Sequence, residues 1–253
     1  MGRVAFIGAG PGAADLVTLR GARLLAQADV VLADALIDAE FRTLAPQARW
    51  IEVGKRGFRA STSQPRINAL LRRAARSHAL VVRLKGGDPS LFGRLDEELE
   101  TLAAAGIDCE VVPGVSAALA AAADTRKPLT RRGRARSVAF STAMTRDGAL
   151  QARRGADSEV FYMAGRQLGA LGRALRDAGW PADTAVSVVS RAGCADGLHS
   201  SHRVDDLARA ALLHAGRPTV VIVGAAAEPL AAAAPAAAPT LAAAPDSIPL
   251  DRI

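Results

Sequence analysis

The stretch RVAFIGAGPGAADLVTLRGARLLAQADVVLAD, from Arg3 to Asp34, constrains the fold more than any other part of the chain. An apolar run ends in a glycine turn, a segment of helical periodicity follows, and a second apolar run ends on an acid. That order predicts a βαβ unit whose two strands lie parallel in one sheet. The whole of DLVTLRGARLLAQA is expected to form its helix. The alternation then repeats. RWIEVG reads as a strand, and SQPRINALLRRAARS as an amphipathic helix with Ser63 as N-cap and Pro65 in its first turn. ALVVRLKGGDP is a strand running into a second glycine turn, DEELETLAAAG a helix stopped by Gly106, and CEVVPG a strand stopped by Pro113. Regular alternation predicts mainly parallel pairing with helices covering the sheet.

After Gly114 the rhythm changes. VSAALAAAA is a short helix and RKPLTRRGRAR a basic loop. SVAFST, EVFYMA, AVSVVSR and TVVIVG read as strands, with helices over LGALGRALRDAG and VDDLARAALLHAG. More strands per helix predict a mixed sheet. Beyond Gly224 the composition collapses to alanine and proline, which cannot build a core. The expected organisation is an N-terminal α/β domain over residues 1–115, a C-terminal α/β domain over 116–225, and a disordered tail over 226–253.

The opening turn has two readings. Gly8-x-Gly10-x-x-Ala13 with Asp34 at the end of the next strand imitates a dinucleotide fingerprint. Against that reading, Pro11 removes a backbone N–H that a pyrophosphate would use, and Asp15 puts a negative charge in the first helical turn. The second turn, Gly86, Gly87 and Asp88, ends another buried strand of the same sheet. Ligands gather at the carboxyl ends of such strands, so the two turns can face one crevice. A tight turn leading into a helix accounts for the same residues without a ligand.

The chain carries 32 basic and 25 acidic residues, a net charge of +7, and six of the basic side chains lie between Arg126 and Arg136. A solvated loop and a site for a polyanionic small molecule both account for that run. Nucleic acid is not expected, because the run has no interleaved aromatics and no nucleic-acid module accompanies it. No apolar stretch is suited to crossing a membrane, since the longest is alanine broken by prolines. No signal peptide is expected before the first strand. Cys109 and Cys194 have no metal-ligand spacing, no metal site is expected, and a reducing cytoplasm is the default location.

Nine motifs in order now carry a resemblance: VAFIGAGPGAADLVTLRG, ADVVLAD, VGKRG, VVRLKGGDPSLFGR, VVPGVSAALAAA, PLTRRGRARSV, VFYM, PADTAVSVV and PTVVIVG. Over residues 3–224 the chain resembles the tetrapyrrole methylase family, and within it the branch that methylates uroporphyrinogen III. The resemblance implies two αβα-type domains with the active site in the cleft between them, S-adenosyl-L-methionine as methyl donor, and a homodimer. On that footing the opening turn lines a cleft for S-adenosylmethionine. The family's cofactor positions fall on Pro11, Gly86, Gly87, Asp88, Leu91, Ser116, Ala117, Met163 and Ala192. Its proposed proton acceptor falls on Asp34 and its proposed proton donor on Lys55. Read without the family, a turn acid at Asp34 and a surface charge at Lys55 are the minority alternatives, while Met163 alone is more often a core residue.

The implied reaction methylates C2 and then C7 of uroporphyrinogen III, giving precorrin-2 for siroheme or cobalamin. That substrate is a polyanion, so Arg83, Arg94, Arg131 and Arg132 are candidates for contacts to its carboxylates. The sequence departs from the family at Ala33, where tyrosine is usual, at Ser90, where phenylalanine is usual, and at Leu95–Asp96, where two glycines are usual. Arg131 stands where histidine is usual. These departures leave a later precorrin, or a substrate that is not a tetrapyrrole, as the alternative.

Overall fold

A computed structural model describes residues 2–54, 62–143 and 150–230, and within them ten strands form two five-stranded sheets. The first sheet contains β1 (Arg3–Gly8), β2 (Val30–Ala33), β3 (Arg49–Glu52), β4 (Leu80–Lys85) and β5 (Cys109–Val112), in the order β3-β2-β4-β1-β5. Every pairing in it is parallel, as the alternation predicts. β4 is buried at all six positions, which fits a parallel strand covered on both faces. One face packs under α1 (Leu19–Leu25) and α2 (Phe41–Leu44), where Leu25 and Phe41 meet Ile7, Val31 and Val82. The other packs under α3 (Gln64–Ser77) and α4 (Leu95–Ala103). Ile67, Leu71 and Ala74 of α3, at helical spacing, meet Phe6, Leu32 and Val81 there.

The second sheet contains β6 (Val138–Thr142), β7 (Ser158–Tyr162), β8 (Ala185–Ser190), β9 (Leu198–Arg203) and β10 (Thr219–Gly224), in the order β6-β7-β10-β8-β9. It is mixed: β6 and β7 are parallel, and the other pairs are antiparallel. α5 (Ala117–Thr125) covers one face, where its alanines meet Val160, Val189 and Ile222. α6 (Leu168–Asp177) covers the other, with a 3-10 segment (Val204–Arg209) and α7 (Ala210–Leu213) beside it. Each sheet is thus the middle layer of an αβα stack.

Local details depart from the expectations in several places. The helix expected over VDDLARAALLHAG is a 3-10 segment (Val204–Arg209) followed by the short α7 (Ala210–Leu213), and α2 was not expected. The helix expected over DLVTLRGARLLAQA is divided into a 3-10 turn at Ala14–Leu16 and the helix α1. Val17 and Thr18 are extended, and Thr18 Oγ1 accepts the Gly21 N–H at 3.1 Å, so the helix starts anew there. Ser63 occupies the N-cap of α3 but makes no side-chain cap bond. β9 was not expected. It is an edge strand with the polar sequence LHSSHR, and it lacks the apolar run that marks the others.

β8, β9 and α7 bring together a polar network in the second stack. His214 is fully buried and bonds Ser190 through Nδ1 and Ser200 through Nε2 (2.8 Å), and Ser200 also meets His202 Nε2 at 2.7 Å. Burial, with His202, Arg217 and His199 nearby, lowers the His214 imidazole below its ordinary 6.5. The unfolded chain therefore binds this proton first as pH falls, and stability drops below about pH 6.5, by up to about 1.4 kcal/mol per pH unit until the folded group titrates. Melting curves at pH 7.5 and 5.5 are expected to show the loss, and His214→Asn to reduce it. An unchanged pH dependence in that variant would exclude His214 as its source.

Candidate active site

The carboxyl ends of four neighbouring strands of the first sheet, β2, β4, β1 and β5, carry Asp34, Gly86–Asp88, Gly8–Gly12 and Pro113–Gly114. The two glycine turns do not merely face each other; they pair. Gly87 N–H donates to the Gly10 carbonyl at 2.7 Å, and Gly10 N–H returns a bond to the Gly87 carbonyl at 3.3 Å. Both residues have positive φ, +77° at Gly10 and +69° at Gly87. Gly114 closes the same seam: a Cβ on it would fall 2.3 Å from the Gly87 carbonyl oxygen and 2.7 Å from Gly8 Cα. Side chains are excluded because three backbone segments touch here.

Asp88 locks the second turn. One carboxylate oxygen accepts the Gly114 N–H at 2.9 Å, and the other accepts the Ser90 N–H at 2.8 Å and the Ser90 hydroxyl. Burial works against its charge, but the bonds from Ser90 and Gly114 together hold the carboxyl below the usual carboxylate range. Asp88 thereby ties the β4 turn to the β5 turn. Above this loop there is room: a Cβ on Gly86 or Gly87 would meet nothing within 4 Å. Backbone that approaches a ligand closely needs such a cradle.

The facing wall comes from the second stack. Ala13 N–H donates to the Gly193 carbonyl at 3.0 Å, and Gly12 lies against Cys194, where a Cβ would come 2.0 Å from Sγ. Pro11 likewise packs on Gly193, whose own N–H is held by Asp124 at 2.8 Å. Further along, Phe92 of the Gly-Gly-Asp-Pro loop packs against Tyr162 at the end of β7, the rings tilted by 56° with centroids 5.1 Å apart. The Tyr162 hydroxyl meets Ser116 Oγ at 2.6 Å at the start of α5. Burial raises the Tyr162 pKa, partly offset by the bond to Ser116. The cofactor positions implied by the sequence therefore fall on segments that adjoin one another: Gly86, Gly87, Asp88 and Leu91 on one side, Ser116, Ala117, Met163 and Ala192 on the other.

Of the five non-glycine residues with positive φ among those described, four lie here and the fifth, Arg126, ends α5. Phe92, Arg94, Met163 and Arg191 all have φ between +50° and +60°. Met163 is also 54% exposed, so it is not the core residue that methionine usually is. Strained, non-glycine backbone around a crevice is typical of functional sites.

The four candidate arginines fare differently. Arg83 is 2% exposed, and its guanidinium is committed inside the protein. NH2 donates to Asp34 at 2.6 Å, Nε to Glu98 at 3.2 Å, and NH1 to the carbonyls of Leu32 and Leu84 at 3.3 Å each. This differs from the expected contact to a substrate carboxylate, because little of the fork is left to bind one. Arg94 is exposed and makes a bidentate pair with Glu97 at 2.6 and 2.7 Å. Arg131 donates to the backbone carbonyls of Glu228 and Pro229, and Lys127 to that of Ala227 at 3.0 Å. Ala226 is held in turn by Ser158, at the start of β7, whereas Met163 follows its end. Within one chain Arg131 thus lies at the end of the second sheet opposite to Met163. The neighbouring Arg132 is exposed. Lys55 lies outside the described residues.

Sequence reasoning did not single out Lys85, Glu98, Phe92 or Tyr162. A signal for the first was present: RLK in an otherwise apolar strand puts two cations on one buried face. The dinucleotide reading loses its physical basis, since α1 begins at Leu19, well past the glycines, and its N-terminus is capped by Thr18.

The model for Tetrapyrrole (Corrin/Porphyrin) Methylases matches residues 3–208. The chain belongs to that family. The methylase is 39% identical over 228 residues to the uroporphyrinogen-III C-methyltransferase of Pseudomonas aeruginosa, covering 88% of this chain and 93% of the relative. It is 42% identical over 232 residues to the enzyme of the same name from Paracoccus denitrificans, covering 88% and 81% respectively. Among solved structures, the methylase superposes on the uroporphyrin-III C-methyltransferase of Thermus thermophilus complexed with S-adenosyl homocysteine. The TM-score is 0.79 at 35% identity, with 89% of this chain and 98% of that one covered. A cobalt precorrin-4 methyltransferase gives 0.78 at 28% identity, with 90% and 96% covered.

Proposed function

We propose that this chain is an S-adenosylmethionine-dependent C-methyltransferase that converts uroporphyrinogen III to precorrin-2 by methylation at C2 and then C7. The substrate reading is carried by the 39–42% identity to uroporphyrinogen-III C-methyltransferases over 88% of the chain, and the donor reading is supported by the pairing of the two glycine turns beneath open space. These residues fit the donor: backbone at Gly86 and Gly87 admits close approach, and Asp88 fixes the loop. Pro11, Leu91, Ser116, Ala117, Met163 and Ala192 complete its pocket. When bound, S-adenosylmethionine supplies a methyl already activated on a sulfonium, so the protein's task is alignment more than acid catalysis.

Asp34 stands at the end of β2 with its side chain one-third exposed, and its carboxylate accepts a pyrrole N–H of the substrate. Held there, it stabilises the positive charge that develops on the ring as a pyrrole carbon attacks. It then takes up the proton released as the ring system rearranges. Lys55 and the exposed Arg94 supply cations for the carboxylates of the substrate. The enzyme works as a homodimer in the cytoplasm. Among the described residues no helix is long and apolar enough to cross a membrane.

The test is anaerobic incubation with S-adenosylmethionine and uroporphyrinogen III, followed by oxidation and mass spectrometry. A gain of two methyl groups supports the reading. No gain, with S-adenosylhomocysteine still binding by calorimetry, would remove this substrate and turn attention to a later precorrin. Ser90 and Leu95–Asp96, together with the likeness to the cobalt precorrin-4 methyltransferase, favour that as the second reading. Light scattering checks the dimer.

A further inference from the structure

Beneath the proposed site lies a cluster of charges that the reaction as described does not use. Arg83 and Lys85 stand on one face of β4, each 2% exposed, and Glu98 reaches them from α4 with no exposed surface. Glu98 Oε1 accepts from Arg83 Nε at 3.2 Å and from Gln64 Nε2 at 3.0 Å, and Oε2 accepts from Lys85 Nζ at 2.9 Å. Asp34 completes the set through its 2.6 Å bond from Arg83, so two cations face two carboxylates. Only Asp34 reaches solvent to any extent, at 33% against 3% or less for the others.

Buried ion pairs seldom repay their desolvation in stability, but they fix geometry. Here the geometry is strict. Arg83 is gripped from below by Glu98 and from the sides by the Leu32 and Leu84 carbonyls, and one remaining arm points at Asp34. Lys85 balances the second oxygen of Glu98, and its Cε lies under the cofactor loop, 3.0 Å from where a Cβ on Gly93 would sit. Burial, and after it Arg83, lowers the Lys85 pKa, while Glu98 opposes the shift.

We propose that Arg83 and Glu98 are positioning residues. Glu98 fixes the Arg83 fork, and the fork sets the place and direction of the Asp34 carboxylate against the substrate. The proposal rests on the reading of Asp34 given above. A planar guanidinium can hold an acid in this way and a lysine ammonium cannot, since it lacks the fork.

A double-mutant cycle on the full-length enzyme tests this, using Arg83→Lys and Asp34→Asn, alone and together. Arg83→Lys keeps the charge. It is expected to lower kcat at least tenfold, with S-adenosylhomocysteine affinity and the KM for uroporphyrinogen III each within threefold. In the Asp34→Asn background the same substitution is expected to change kcat by less than twofold. Glu98→Asp, which keeps the charge and shortens the reach, is read identically should Arg83→Lys fail to fold. Equal effects in both backgrounds, or no effect in either, would overturn the proposal. Loss of S-adenosylhomocysteine binding in both charge-preserving variants would overturn it too, because the cluster would then hold the fold and not Asp34. If Asp34→Asn alone leaves kcat intact, the reading of Asp34 fails, a result distinct from additivity.

Discussion

Gly114→Ala is expected to lose S-adenosylhomocysteine binding and to melt about 10 °C below the parent protein. The added methyl would lie 2.3 Å from the Gly87 carbonyl oxygen and 2.7 Å from Gly8 Cα. Both obstacles are backbone, so no rotamer relieves the clash. The main chain must move, at a cost of about 3 kcal/mol or more. The movement strikes function directly, because Gly87 bonds Gly10 and Gly114 bonds Asp88. Gly155→Ala is the control: its Cβ would approach only a glutamate oxygen at 3.9 Å, and an effect within about 0.5 kcal/mol is expected. Scanning fluorimetry and calorimetry read both variants. Retained binding and melting in Gly114→Ala would mean that the seam of glycines is not the rigid floor described.

The second large effect is on turnover. Asp34→Asn keeps the shape of the side chain and removes its charge, and kcat is expected to fall by about 10²-fold or more. Binding of S-adenosylhomocysteine is expected to stay within threefold, since Asp34 ends β2 and the cofactor loop follows β4. The amide oxygen can still accept from Arg83, but the bond loses its ionic character, so a stability loss of about 1 kcal/mol or less should accompany it. Single-turnover methyl transfer separates the two effects. A variant with full activity would reduce Asp34 to a turn acid.

The sheets were largely legible in the sequence. RVAFIG, ALVVRLK and TVVIVG are apolar because both faces of β1, β4 and β10 are covered, and such strands announce themselves. LHSSHR did not, because an edge strand with one wet face keeps few apolar positions. The division of the first helix was hidden because Thr18 acts as a cap only once the extended backbone at Val17 is known. At the site, the glycines and Asp88 were visible as residue types at the ends of strands. Their direct pairing was not, since it depends on β1 and β4 being neighbours in the sheet. The role of Arg83 was misjudged for the same kind of reason: its partner Glu98 is on a helix that only the tertiary fold lays across β4. Arg131 is a candidate for substrate carboxylates in the sequence because nothing there shows Glu228 and Pro229 returning to that side chain.

The glycines of the site differ sharply in what they would tolerate, and this bears on redesign. Gly8 and Gly114 are hemmed in by backbone, and Gly10 and Gly87 require a conformation that other residues resist. Gly86 has neither constraint: its φ is negative or extended, and the space above it is empty. It is the position in this seam where a methyl can be added without rebuilding the floor. Such a methyl would narrow the cradle from inside, which makes Gly86 a place to tune the choice between natural and bulkier sulfonium donors without touching the catalytic acid.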